Sequence, residues 1–349
     1  MSKKIEIRRC IYCREHRIFS RKKVDSQFTT EHVLHRALAS FDNNLTLVGA
    51  VCKDCNSYFG NTVDRILTRG TYEAVERFRT GLKPLEEFKD FAELNIAFTT
   101  KSPKPELDGA PVRLVVDGDS IKFSFKPHVA FEQKHKREWI RFSGSELRKK
   151  NLPDSKMLTG RWQILCDSEE EQELIVSLAR QAGRDLTPTG TLIPGEIPVY
   201  AEYTVDTPVK RALAKIAYNY FAHMMYARQI PEFMFADHLE SAREFIRCGK
   251  IGEYEIVLPK SEPILGFDTE SLRQTNGHLV SVELLSEQGR WQIVGAVSLF
   301  NHLDWKVRLA TEYSGIHVPI SRGHHWNIDE KTCSEMTGLK SNWTLNVWH

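Results

Sequence analysis

At 349 residues, with 41% hydrophobic and 27% charged side chains, the chain has the length and composition of two or three domains with buried cores, and is neither disordered nor fibrous. A formal net charge of +2 excludes a chain that is strongly basic or acidic throughout, so charge has to be read locally. Nothing approaches a membrane span: Ala212–Ala227 is apolar-rich but interrupted by Lys215, Asn219 and His223, and the start MSKKIEIRRC has no apolar stretch behind its charges.

In chain order, residues 1–23 carry nine Lys or Arg against two Glu, a local net of +7. That excess suits a polyanion, although a solvated basic face is the plainer reading. Residues 5–13 read as a short basic strand, residues 14–30 as polar loop, and Leu45–Val51 as an apolar strand. Apolar residues Tyr58, Phe59, Val63, Ile66 and Leu67 predict a helix beginning near Asn56, and Tyr72, Val75, Phe78 and Leu82 predict a second after Gly70.

The Pro/Gly-rich stretch 101–111 reads as a linker or long turn. Beyond it, Val112–Val116 and Ile121–Phe125 flank Asp117-Gly118-Asp119-Ser120 as a hairpin. Then come a strand at Trp162–Cys166, a helix at Glu169–Ala182 and a strand at Val199–Val205. Thr207-Pro208 opens the strongest helical pattern, with Val209, Leu213, Ile216, Ala217, Tyr220, Phe221, Met224 and Met225 on one face. Arg211, Lys215 and Asn219 lie off that face, where they would be solvated or would contact phosphates. A further helix is expected over Leu239–Cys248. Strands are expected at Leu279–Leu285, Trp291–Leu299 and Trp305–Leu309. His317, His324 and His325 could form a metal site only if regular structure aimed them together; packing is the plainer role.

Four of the seven cysteines form two CxxC pairs, Cys10/Cys13 and Cys52/Cys55, and four thiolates are what tetrahedral zinc takes. A redox CxxC would need a βαβ setting that does not surround Cys10. Cys166, Cys248 and Cys333 lie in apolar or helical surroundings and read as buried. An odd cysteine count with four ligand-like spacings fits a reducing, cytoplasmic compartment. All seven tryptophans fall at or after Trp139, so the N-terminal part needs a stabiliser other than large aromatic packing, and a metal is the natural one.

Between the pairs, Glu31-His32 sets a carboxylate beside an imidazole, and Asn56 follows Cys55 directly. Imidazole has a neutral fraction near neutral pH, while a carboxylate and an amide oxygen suit a hard divalent ion. The order Cys-x-x-Cys, Glu-His, Asn-Leu, Cys-x-x-Cys-Asn resembles the HNH endonucleases, over roughly residues 8–67. The resemblance implies a ββα-metal core on a structural Zn²⁺ held by Cys10, Cys13, Cys52 and Cys55. His32 would be the general base, Glu31 and Asn56 would hold a catalytic Mg²⁺ or Mn²⁺, and Asn44 (or Asn43) would pin the hairpin loop and orient the base. The final motif position is Asn56 rather than histidine, and the position three after the base, often proline in the family, is His35; a surface role suits it better than phosphate binding. Asn61 reads as a helix-surface residue.

The predicted fold class is therefore α+β, an N-terminal ββα-metal module followed by a larger mixed α/β accessory region. The expected segments are 1–70, 71–205 and 206–349. The implied substrate is DNA, with RNA left open, and Arg8, Arg9, Arg14, Arg17, Arg21, Lys22 and Lys23 are assigned to phosphates. The extension would bind a protein partner or a second copy, and the whole resembles bacterial or phage-encoded nucleases of restriction or anti-phage type. The rival readings are a zinc module that binds nucleic acid without cutting it, and a regulatory factor in which zinc only shapes a docking face.

Overall fold

The computed structural model describes residues 6–22, 24–41, 43–87, 96–136, 138–149, 152–188, 196–252, 255–259, 276–287, 290–301, 303–312 and 321–336. It forms two compact units, residues 1–84 with 205–349, and residues 85–204. The N-terminal segment and the last part of the chain thus share one unit.

The first unit opens with an antiparallel hairpin, β1 (Glu6–Arg9) with β2 (His16–Phe19), then a second, β3 (Phe28–His32) with β4 (Thr46–Cys52). Three helices follow: α1 (Lys53–Thr62), α2 (Asp64–Arg69) and α3 (Tyr72–Arg79). The expected order of two strands and a helix around the cysteine pairs is met by β3, β4 and α1, and the chain is α+β. The polar stretch read as loop holds β2 and β3, because short strands of mixed polarity carry little apolar alternation. Ladder pairing between β3 and β4 shifts register between Thr29 and Thr30, opposite Gly49 and Ala50. Gly49 has φ +74°, and a Cβ there would lie 2.4 Å from the Arg8 guanidinium and 2.8 Å from the Phe19 ring. Only glycine lets the first hairpin pack that closely on β4.

The second unit contains β5 (Ile96–Thr100), β6 (Pro111–Asp117), β7 (Ser120–Phe125), β8 (His128–Gln133), β9 (Trp139–Ser143), α4 (Gly144–Arg148), β10 (Leu158–Leu165), α5 (Glu169–Gln181) and β11 (Val199–Tyr203). Its strands form two sheets, ordered β11-β5-β6-β7 and β10-β8-β9. The Asp117–Ser120 hairpin falls as expected, and α5 starts at a Ser168 cap whose side chain accepts from the Glu171 amide.

The first unit resumes with α6 (Thr207–Ala227) and α7 (Glu240–Cys248), then β12 (Val257–Pro259), β13 (Gly277–Glu287), β14 (Arg290–Leu299), β15 (Leu303–Ala310), β16 (Ser321–Asn327) and β17 (Thr332–Glu335). These strands make one antiparallel sheet, β12-β15-β14-β13-β16-β17. The α6 cap is Asp206, whose carboxylate accepts from the Val209 amide, so Thr207 and Pro208 are already helical.

Helix α6 is buried on more than the one face expected: Lys215, Tyr218 and Asn219 are enclosed as fully as Leu213 and Phe221. One apolar core runs from Cys10, Phe28 and Phe59 through α6 to Val282, Val307 and Trp326. On the sheet side the approach is close, since a Cβ on Gly295 would stand 2.7 Å from that of Ala217. Of the three remaining cysteines only Cys333 is buried. Cys166 is half-buried and Cys248, the last residue of α7, is exposed, a correction to the expectation for both. His324 and His325 are neighbours on β16, which turns their side chains to opposite faces. His317 lies outside the described residues.

Candidate functional site

Both cysteine pairs sit at ends of elements. Cys10 follows β1 in a tight knuckle: the Cys10 amide donates to the Glu15 carbonyl at 3.0 Å, the Arg14 amide to the Cys10 carbonyl at 2.9 Å, and Arg14 takes φ 60° to close it. The bulge in β4 aims the Ala50 carbonyl at the knuckle, where it accepts from the Ile11 amide at 3.0 Å. Cys52 ends β4 and caps α1, its sulfur accepting from the Cys55 amide at 3.5 Å. As a result the sulfurs of Cys10, Cys13, Cys52 and Cys55 all lie within 4.8 Å of one another, and those of Cys13 and Cys52 are 3.8 Å apart. A Zn–S bond of ~2.3 Å gives tetrahedral S···S edges of about 3.8 Å, so the cluster fits such an ion. Sulfur contacts also split the thiols: hydrogen bonds from Cys10 and Cys55 pull Cys52 well below the usual thiol range, while the bond to Cys52 pushes Cys10 above it.

Glu31 and His32 end β3, on the hairpin whose other strand leads to Cys52. Glu31 is 5% exposed. Its Oε1 accepts from Lys215 at 2.5 Å and from the Asn219 amide at 3.1 Å, and no described residue bonds Oε2. Glu31 is thus a largely buried carboxylate held through one oxygen, with the other left without a protein partner among the described residues. Lys215 also lies 3.1 Å from each oxygen of Asp64 and 5.5 Å from the centre of the Phe59 ring. Burial alone would lower the Lys215 pKa, but Asp64 and Glu31 reverse this and leave it raised, so the ammonium persists.

The His32 carbonyl accepts from Asn219 at 3.2 Å, which fixes the end of the strand. Its half-buried ring keeps Nδ1 without a hydrogen-bond partner among the described residues. Burial, then Arg36, pulls its pKa below the ordinary histidine value, against the pull of Glu31. His35 has a different use: its Nδ1 accepts from the Ala37 amide at 3.1 Å and stabilises the turn that follows β3. Arg36 is exposed and Asn61 is exposed on α1.

Asn56 stands half-buried in the first turn of α1, directly after Cys55, and makes no hydrogen bond to Glu31 or His32 among the described residues. Asn44 closes the loop between β3 and β4 through its amide to the Ala39 carbonyl at 2.9 Å, and its Oδ1 accepts from the Trp326 indole at 3.1 Å. Asn43 bonds both backbone groups of Cys333, at 2.6 and 3.1 Å. Both asparagines therefore tie the hairpin loop, and neither reaches the His32 ring.

Much of the basic stretch is engaged internally. Arg8 pairs with Glu6 and stacks 3.6 Å over Phe19, and Arg9 donates to the Arg14 carbonyl and lies over Phe235. Arg14 pairs with Glu240, and Arg17 with Glu15 and Asp54. Of the described basic residues assigned to phosphates, Arg21 and Lys22 are the exposed ones. Lys23, Lys3 and Lys4 lie outside the described residues.

Sequence reasoning missed how α6 takes part. Arg211 donates to the Tyr58 hydroxyl at 2.8 Å, and Lys215 and Asn219 reach Glu31. Tyr12 donates to Asn219 Oδ1 at 2.7 Å, and His223 Nδ1 donates to the Thr46 carbonyl at 3.0 Å. The face expected to meet solvent or phosphate is thus turned onto the β3–β4 hairpin and α1. A legible signal existed: four polar residues spaced by four in an otherwise apolar helix form a single stripe.

Among the described residues, no helix is long and apolar enough to cross a membrane. No curated protein and no solved structure matches the chain. Residues 10–71 match the family model described as HNH endonuclease, a family of metal-binding nucleases acting on nucleic acids. That segment, bounded by the four-cysteine cluster and carrying Glu31, His32 and Asn56, is a domain of the HNH endonuclease family.

Proposed function

We propose that the chain is a metal-dependent endonuclease that hydrolyses DNA phosphodiester bonds. Cys10, Cys13, Cys52 and Cys55 would hold a structural Zn²⁺, and Glu31 Oε2 with the Asn56 amide oxygen would hold Mg²⁺ or Mn²⁺. The observation that carries the reading is His32 at the end of β3: its buried Nδ1 has no partner among the described residues, on a hairpin tied by sulfurs at one end and Asn44 at the other. Leaving a buried ring nitrogen unbonded costs about 1–3 kcal/mol, so an idle His32 would be a standing loss, whereas a base needs that lone pair.

His32 would accept the proton of a water whose oxygen attacks phosphorus. The P–O3′ bond then breaks, leaving a 5′ phosphate and a 3′ hydroxyl. A divalent ion, when bound, supplies positive charge where negative charge develops on the phosphate and leaving oxygen. One carboxylate oxygen, one amide oxygen and several waters form an ordinary Mg²⁺ shell. Exposed Arg36, close enough to His32 to lower its pKa, supports phosphate binding at this end of the hairpin.

The second reading, nucleic-acid binding without cleavage, is favoured by one observation: Glu31 is already engaged by Lys215. Plasmid DNA and an RNA of matched length, incubated with Mg²⁺ or Mn²⁺, separate the two. The wild type is expected to cut DNA, and His32→Ala to lose at least ~100-fold in rate at unchanged zinc content. Binding without cutting under either metal supports the second reading, and activity of His32→Ala within a few-fold of wild type removes His32 as the base. Reduced phage plating on expressing cells, restored by His32→Ala, would extend the reading to restriction or anti-phage defence.

A further inference from the structure

We propose that Lys215, together with Asn219, is a positioning residue of the nuclease site: from a helix far downstream in sequence, the pair grips Glu31 by Oε1 and leaves Oε2 as the oxygen for a divalent cation. This rests on the nuclease reading and adds residues outside the matched segment 10–71. Lys215 and Asn219 are one turn apart on α6, and both donate to the same oxygen. A carboxylate held by one oxygen cannot rotate to offer the other in varied directions. Asn219 also binds the His32 carbonyl, so the same side chain sets the distance between base and carboxylate.

Lys215 is in turn fixed. Asp64 contacts its ammonium through both oxygens at 3.1 Å, and Phe59 lies alongside. One ammonium between two carboxylates leaves a net negative charge, which suits attraction of a cation without assembling a closed cage. An inhibitory plug would have the same contacts but would need to withdraw. Lys215 is 3% exposed and Asn219 fully buried, within a core common to α6 and the module. A contact so enclosed belongs to the resting architecture of the site.

The test uses the full chain with Mn²⁺ as probe, free Mn²⁺ being followed by electron paramagnetic resonance. Zinc content and melting temperature report folding. Lys215→Met combined with Asp64→Asn removes one cation and one carboxylate together, limiting the charge imbalance that Lys215→Met alone would create. The double variant is expected to keep zinc, to bind Mn²⁺ roughly 10–100-fold more weakly and to lose cleavage in proportion, while Lys215→Arg recovers part of both. Should the Lys215→Met chains not fold, Asn219→Ala removes no charge and is expected to weaken Mn²⁺ several-fold. Folded variants with Mn²⁺ affinity within about threefold of wild type, or with faster cleavage, overturn the proposal. If the wild type cuts and binds Mn²⁺ while the variants match it, only the positioning role falls; if the wild type binds no Mn²⁺, the nuclease reading falls with it.

Discussion

Gly49 illustrates how a single residue sets the geometry of the site. Its positive φ opens the bulge in β4, and the bulge turns the Ala50 carbonyl toward the first cysteine knuckle. Alanine there would meet both a left-handed backbone, costing about 1–2 kcal/mol, and the side chains of Arg8 and Phe19. Gly49→Ala is therefore expected to destabilise the first unit by at least ~2 kcal/mol in urea unfolding, with a lower zinc affinity; an unchanged midpoint would show that the hairpin shifts freely. No feature of the sequence around LTLVGAV marks this. Glycine within an apolar run fits a strand, a bulge or a turn equally well until its neighbour across the sheet is known.

At the scale of elements, the hairpin loop is joined to the C-terminal sheet through histidine chemistry. His278, on β13, donates from Nε2 to the Leu38 carbonyl at 3.0 Å and accepts at Nδ1 from the Phe300 amide at 3.2 Å. Both nitrogens are engaged in the neutral form, and protonation would lose the acceptor. Burial lowers its pKa to about 4. The folded state binds this proton less readily than the unfolded chain, so the stabilisation is complete above about 6.5 and declines as pH falls toward 4, by about 2 kcal/mol at pH 5. Wild-type chain should lose melting temperature between pH 7 and 5, and His278→Gln, which keeps a donor and an acceptor but cannot titrate, should lose less. Equal losses would remove His278 as a source of acid sensitivity.

The elements themselves were unevenly legible. Helices α1, α3, α5 and α6 followed their apolar spacing, and β13, β14 and β15 followed theirs. Strands β2 and β3 did not, because these short strands are held by the cysteine knuckles and loop asparagines rather than by apolar alternation. At the site, the cysteine pairs were plain from spacing alone, whereas the meaning of Lys215 and Asn219 needed the fold. A buried lysine and a solvated one look identical in sequence until the carboxylate facing it is known.

For the molecule as a whole, the nuclease domain is built into the C-terminal part of its own chain. Tyr12 bonds Asn219, the Arg243 guanidinium bonds the Tyr12 carbonyl, Trp326 bonds Asn44, and one apolar core includes both Tyr12 and Trp326. A module of some sixty residues offers little core of its own; here a long buried helix supplies part of what it lacks, and the four-cysteine cluster could hold a metal that supplies more. The proposed scaffold depends on the two knuckles converging on a single ion, which would tie the first knuckle to the start of α1 beside the hairpin that carries His32. X-ray absorption at the zinc edge on the full-length chain tests this directly. The expected result is one zinc per chain with four sulfur neighbours at ~2.3 Å. Sub-stoichiometric metal, or a shell with fewer than four sulfurs, would contradict it.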